Sequence, residues 1–242
     1  MTDPTLPHLA ADSIVHRFGT RTVLHAAYVD AIAGTVTALV GQSGAGKTTL
    51  LEILVGLRRP LSGQVRYAGA RVPRVSRAAL ARGGVVYVPD APWLSTRVRV
   101  RPQLALVARV WDSDADTVAR ASGVEPLLDR ASAALSTGER RLCELAVATA
   151  CRPDAIVLDE PFRDLDPLHR ETMGRRLRAL AGDGVAVLFA DHDATMVAET
   201  ADRLFAIEEG RTRVVSDFKE RPIVEWYRGW SGIDQTGRRV DG

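Results

Sequence analysis

Lysine is almost missing from this chain. Only Lys47 and Lys219 occur among its 242 residues, and every other basic residue is arginine. Cysteine is scarce too. Cys143 and Cys151 have no second Cys or His at metal-ligand spacing, which argues against a disulfide framework or a zinc site and points to reduced thiols. No run of about 18 apolar residues is free of charge. The best candidate, 23–40, is broken by His25 and Asp30, so no membrane-spanning helix is expected. The opening MTDPTLPHLA has no basic stretch leading into an apolar one, so a secretion signal is not expected either. A net charge of +2 gives no global reason to expect nucleic-acid binding. These absences point to a cytosolic protein whose only route to a membrane is through a partner.

What is present is ordinary for a globular chain: 46% apolar residues, enough to bury a sizeable core. Short apolar runs alternate with helical patterns, which predicts an α/β fold with a mainly parallel sheet covered by helices. Residues 35–40, 84–88, 155–160 and 185–190 read as buried strands. After the first of these, Leu50, Leu51, Ile53, Leu54 and Leu57 fall on one helical face. Asp166 followed by Pro167 predicts a helix start, with Gly182 closing that helix. Residues up to about 33, with 63–72, alternate as strands and predict a small antiparallel layer. Residues from 90 to about 134 read as a helical insertion, and 204–215 as a hairpin turning near Gly210. The expected organisation is one domain over 1–216 and a tail over 217–242.

The retained lysine sits in VGQSGAGKTTL. Gly41, Gly46, Lys47 and Thr48 fit the spacing G-x-x-x-x-G-K-[ST] between a strand and an amphipathic helix. Glycines let backbone N–H groups turn inward around phosphate oxygens, and the helix N-terminus adds its positive end. Gln42, Ser43, Gly44, Ala45 and Thr49 complete the nucleotide-binding loop. Lys47 is expected to reach the β- and γ-phosphates, and Thr48 to offer its hydroxyl to Mg²⁺. A broad, planar guanidinium does not fit where a compact ammonium does, which explains why arginine did not replace this lysine. Further along, AIVLDE ends a strand in two acids. Asp159 is placed to hold Mg²⁺ and Glu160 to address a water lined up on the γ-phosphate; a merely solvated strand end is the alternative for such a pair on its own.

With these residues in place the chain resembles the ATP-binding-cassette (ABC) family of ATPases over nearly its whole length. LSTGERRLCELAVA (135–148) looks like the family signature LSGGQ and its helix. Ser136 and Gly138 match phosphate-contacting positions, while Thr137 and Glu139 depart from the usual residues; a plain capping box in STGE is the alternative for this turn. The resemblance implies further roles. Phe18 takes the place of an aromatic that stacks on adenine, with a core phenylalanine as the alternative. RDLD (163–166) resembles the loop through which facing subunits communicate, and His192 the switch histidine that contacts the γ-phosphate. Asp90 stands where the family usually has a glutamine sensing Mg²⁺ and the permease, which places a carboxylate near the metal and puts ordinary turnover in question.

The implied function is the ATP-hydrolysing subunit of an ABC transporter on the cytoplasmic face of the membrane. It would use ATP and Mg²⁺, pair head to tail with a second copy or a homologue, and drive an integral-membrane permease. An exporter is favoured by family analogy, and the permease sets the substrate. A soluble ABC ATPase acting on nucleic acid or ribosomes is the alternative, although RVRVR (97–101) reads better as a solvated or permease-facing edge. Trp93 and Trp111 are candidates for docking a permease helix or for ordinary packing. Trp226 and Trp230 are expected to pack on the domain.

Overall fold

The computed structural model describes residues 8–72 and 76–220. The elements run β1 (Leu9–Phe18), β2 (Arg21–Ala31), β3 (Val36–Val40), α1 (Lys47–Leu54), β4 (Ser62–Tyr67), β5 (Ala70–Arg71), α2 (Arg77–Arg82) and β6 (Val85–Val88). They continue with α3 (Val100–Val110), α4 (Ala115–Ser122), α5 (Thr137–Thr149), β7 (Ala155–Asp159), α6 (Pro167–Gly182), β8 (Ala186–Ala190), α7 (Ala194–Thr200), β9 (Arg203–Glu208) and β10 (Arg211–Val215).

Two sheets form among the described residues. The larger has the order β10-β9-β3-β8-β7-β6, parallel except for the β9–β10 hairpin. The smaller is antiparallel, in the order β2-β1-β4-β5. Every residue of β3, β7 and β8 is buried, which is why these strands are uninterrupted apolar runs rather than alternating ones. One face of the parallel sheet packs with α1 against the antiparallel layer, joining Leu39, Leu50, Ile53, Val157 and Leu188 to Leu9, Ile14 and Val29. The other face is covered by α5, α6 and α7, where Phe162 meets Phe189 edge-on at 5.5 Å. A third cluster fills the helical region: Val100, Leu104, Ala108 and Ala119 pack against Cys143 and Val147 of α5. Both thiols are free, and burial pushes that of Cys143 up to about 12, which makes it unreactive.

Local signals account for the element ends. Asp166 caps α6, its carboxylate accepting from the N–H of Leu168 and His169. Gly182 is the last residue of that helix and Asp183 its C-cap, one residue beyond the expected stop. The β9–β10 turn carries Glu209 and Gly210 at φ of 45° and 72°, the two positive values a tight two-residue hairpin needs. Trp226 and Trp230 lie outside the described residues.

What matters for the site is the register. Leu39 and Asp159 both lie opposite Ala190 of the intervening strand β8. The chain therefore leaves β3, β7 and β8 at one level along the same sheet edge, the carboxyl ends of parallel strands where ligands of such sheets bind.

Candidate functional site

The segment after β3 wraps into the loop that the sequence predicts. Gly44 and Gly46 take φ of 81° and 107°, and Gly46, left-handed, is the N-cap of α1. That helix starts with no side-chain cap and no acidic residue in its first turn, whereas Asp114, Ser136, Asp166 and Asp193 cap α4, α5, α6 and α7. Its free N–H groups and positive end suit an anion. Gln42, Ser43, Gly44 and Thr48 are exposed along the loop, with Ala45 and Thr49 partly so.

Lys47 is only 6% exposed. Its Nζ donates to the carbonyls of Gly41 at 2.8 Å and Gln42 at 3.2 Å. Burial lowers its pKa, opposed by the charges of Glu160, Asp159 and Asp191. A buried ammonium held by loop carbonyls and facing three carboxylates is ready to exchange those carbonyls for phosphate oxygens.

Thr48 Oγ1 donates to Asp159 Oδ2 at 2.7 Å. Burial raises the Asp159 carboxyl from its ordinary value, with the Thr48 hydrogen bond pulling the other way. The other oxygen, Oδ1, is buried with no hydrogen-bond partner among the described residues. An orphaned carboxylate oxygen beside a hydroxyl is the hard oxygen donor set of Mg²⁺, which takes only one or two protein ligands and fills its remaining positions with water and phosphate.

Glu160 follows in a left-handed conformation (φ 47°), and its N–H donates to Ala190 O at 2.8 Å. Strain of this kind survives only where the surroundings enforce it. Its Oε2 lies 3.7 Å from His192 Nδ1 and 3.5 Å from Arg163 Nη1. Glu160, His192, Lys47, Gly41, Gln42 and Ser43 share a cavity of about 480 Å³ with Arg163 and Arg170. Asp191 stands behind them. It is fully buried, and it accepts from the N–H groups of His192, Asp193 and Phe162 at 2.7, 2.9 and 3.1 Å, tying the turns after β7 and β8 together.

Three expected residues occupy settings other than those the family resemblance implies. Asp90, anticipated beside the metal, spends Oδ1 on Arg141 Nη2 at 3.1 Å and Oδ2 on Arg163 Nη1 at 2.7 Å, although it lines the same cavity as Thr48 and Asp159. A place on the metal requires it to leave those arginines. Ser136 caps α5 in a full capping box: its Oγ accepts from Glu139 N at 3.2 Å, and Glu139 Oε2 accepts from Ser136 N at 2.8 Å. The Glu139 carboxylate thus occupies the helix end that the sequence suggests for a phosphate. Phe18 is 45% exposed, but Arg58 lies over its ring at 4.8 Å and His16 meets it edge-on. Its ring lines none of the three cavities that border the phosphate loop at Gly41–Thr48.

The second cavity, of about 710 Å³, opens between α1, β6 and the helical region. Trp93, Trp111, Val107 and Tyr87 line it, with Thr48, Asp90 and Asp159 along one wall. Of the RVRVR arginines, Arg101 is spent on Asp129 at 2.9 Å.

Sequence reasoning missed Asp191, Arg141 and Glu144, and read Arg163 only as part of the loop 163–166 through which facing subunits communicate. Asp191 had a signal, being the first acid after a buried strand. Glu144 had one as well, a lone carboxylate on the buried face of α5 between Cys143 and Leu145.

The family model described as ABC transporter matches residues 24–163. Nod factor export ATP-binding protein I of Burkholderia lata is 37% identical over 208 residues, spanning 82% of this chain and 67% of that protein. Among solved structures, a nucleotide-free ATP-binding cassette from an ABC transporter superposes with a TM-score of 0.81 at 20% identity, over 90% of this chain and 96% of that one. The cbiO1 subunit of Clostridium perfringens, part of the cbiONQ ABC transporter complex, gives 0.79 at 22% identity, over 95% and 96%.

Proposed function

Since the chain belongs to the ABC transporter family and is one of its ATPases, we propose that it drives an integral-membrane permease from the cytoplasmic face. ATP binding would close a head-to-tail pair of cassettes, and hydrolysis would reopen it. The second cassette is another copy or a homologue. The observation that carries this reading is the convergence of Lys47, Asp159, Glu160 and His192 at the level set by Ala190.

In this reading the loop 41–48 and Lys47 bind the triphosphate. Thr48 and Asp159 would hold Mg²⁺, which would supply neutralisation of phosphate charge. Glu160 orients the attacking water and takes its proton. Lys47 and His192 stabilise charge building on the γ-phosphate. Asp191 fixes the turns that carry Glu160 and His192. Ser136 and Gly138 of the facing subunit complete the nucleotide's surroundings, and Phe18 offers adenine the ring face opposite Arg58. The apolar cavity at Trp93 and Trp111 receives a permease helix. No helix among the described residues is long and apolar enough to cross a membrane. The naming of close relatives for export supports an exporter.

The test is Glu160→Gln. It is expected to keep MgATP binding, lose phosphate release by at least about a hundredfold, and accumulate as a dimer in ATP. Unchanged hydrolysis would remove Glu160 from the chemistry. Co-purification with ribosomes or nucleic acid in place of a membrane protein would remove the transport reading.

A further inference from the structure

We propose that Arg163 is a positioning residue for Glu160, and that Asp90 sets where Arg163 stands. The proposal rests on Glu160 handling the attacking water. Arg163 Nη1 is the meeting point of two carboxylates, 2.7 Å from Asp90 Oδ2 and 3.5 Å from Glu160 Oε2. Asp90 is itself fixed from behind. Arg141 on α5, nearly buried, donates from Nη1 to Pro89 O at 2.9 Å and from Nη2 to the carbonyl and carboxylate of Asp90. The same guanidinium pairs with the fully buried Glu144 at 3.3 Å, and Glu144 Oε1 accepts the N–H of Trp93 at 3.1 Å.

A continuous polar chain therefore runs from Trp93, in the wall of the apolar cavity, through Glu144, Arg141, Asp90 and Arg163 to Glu160. Its first links pin 89–93 to α5, and its Asp90–Arg163 link spans 73 residues of sequence. Arg163 is half exposed, and such a pair contributes little to stability. Its consequence is geometric. Both carboxylates meet the one Nη1, so the placement of the Arg163 head fixes where they stand relative to each other. Without it, Asp90 and Glu160 face one another across the cavities as like charges, and Glu160 loses a cation that limits its rotation. Whatever presses on Trp93 then moves Asp90, and through Arg163 moves Glu160.

The experiment is a double-mutant cycle of Arg163→Met and Asp90→Asn, read in kcat, KM and ATP affinity on the purified chain with Mg²⁺. Each single variant is expected to lower kcat by about ten- to a hundredfold, the cost of a small misplacement. KM and ATP affinity should stay within about twofold, because neither residue is asked to bind nucleotide. The double variant should be no worse than the poorer single one, since both cut the same chain. Arg163→Lys, which keeps the charge on a shorter stem without the planar head, should recover part of the loss. A wild-type or raised kcat in Arg163→Met overturns the proposal, as do single losses that multiply in the double variant. So does a fall in ATP affinity that accounts for the lost rate. Should Arg163→Met fail to fold, Arg163→Lys against Asp90→Asn carries the same cycle. An active Glu160→Gln would sink the underlying reading instead, and is distinguishable because it needs no change at Arg163.

Discussion

The imidazole of His169 lies so close against Gly138 that a β-carbon there would overlap its ring atoms. Asp166 holds the ring in place through Nδ1 at 2.5 Å. Glycine at 138 is thus demanded by the packing of α6 on the start of α5, whatever ligand the turn serves. Gly138→Ala is expected to cost about 1–3 kcal/mol through overpacking, seen as a melting temperature several degrees lower. Adding His169→Ala should return most of it. A Gly138→Ala protein that melts like the parent would show that the two helices are free to shift.

Lys47→Arg keeps the charge and loses the fit. The ammonium is nearly buried and donates to the carbonyls of Gly41 and Gln42, a compact arrangement that a broad planar guanidinium does not reproduce. Losing a charged hydrogen-bond set of about 1.5–3 kcal/mol corresponds to about ten- to a hundredfold weaker ATP binding. Titration calorimetry reads this directly, and near-normal affinity would refute it.

Asp159 links stability to pH. Burial raises its carboxyl, so the folded protein without nucleotide holds that proton more tightly than the unfolded chain does. This contribution is full below the unfolded aspartate range near pH 4, and is lost as pH rises through the folded-state value. Asp159→Asn is neutral throughout and can still accept from Thr48. At about neutral pH it should melt a few degrees higher than the parent, about 1 kcal/mol for a chain of this size, and the gap should close as the solution is acidified. Calorimetry over pH tests both. A lower melting temperature at neutral pH would mean that the buried carboxylate is already compensated.

Glu139→Gln separates two uses of one helix end. The carboxylate closes the capping box with Ser136 N and pairs with Arg130 at 2.6 Å, and the backbone hydrogen bond from Ser136 lowers its pKa. The same charge opposes a phosphate arriving from a facing subunit. The variant should lose about 0.3–1 kcal/mol of stability, the scale of a charge at a helix terminus. In a Glu160→Gln background it should strengthen ATP-driven dimerisation by about two- to fivefold. Sedimentation with ATP decides, and unchanged dimerisation would place the Ser136 turn away from the nucleotide.

The parts of the fold written in contiguous residues were legible. The strand ending at Val40, the glycine loop and the helix from Lys47 follow from apolar runs, turn residues and periodicity, and so do the hairpin at Gly210 and the start at Pro167. Residue-to-residue pairings across the chain were not. Asp90 reads as a free acid until Arg141 and Arg163, 51 and 73 residues away, are seen to take both its oxygens. The Arg58 guanidinium over Phe18 is hidden for the same reason, because nothing in the spacing of 18 and 58 says that they stack. Glu139 was visible both as a departure from the family pattern and as the fourth residue of a capping box in STGE, and the cap geometry decides for the box.

Ala190 carries no functional group, yet both halves of the site are levelled against it. Leu39, leading to the phosphate loop, and Asp159 both face it across hydrogen-bonded strands, and its carbonyl holds the N–H of Glu160. It works like a surveyor's benchmark. Lengthening β8 by one residue would leave each strand intact and still send Asp191 to the opposite face of the sheet. Asp191 and His192 would then stand at a different height from Lys47 and Glu160. Insertions in the surface loops leave the benchmark where it is, so tolerance to length change should fall abruptly at this strand while the connections around it remain free to vary.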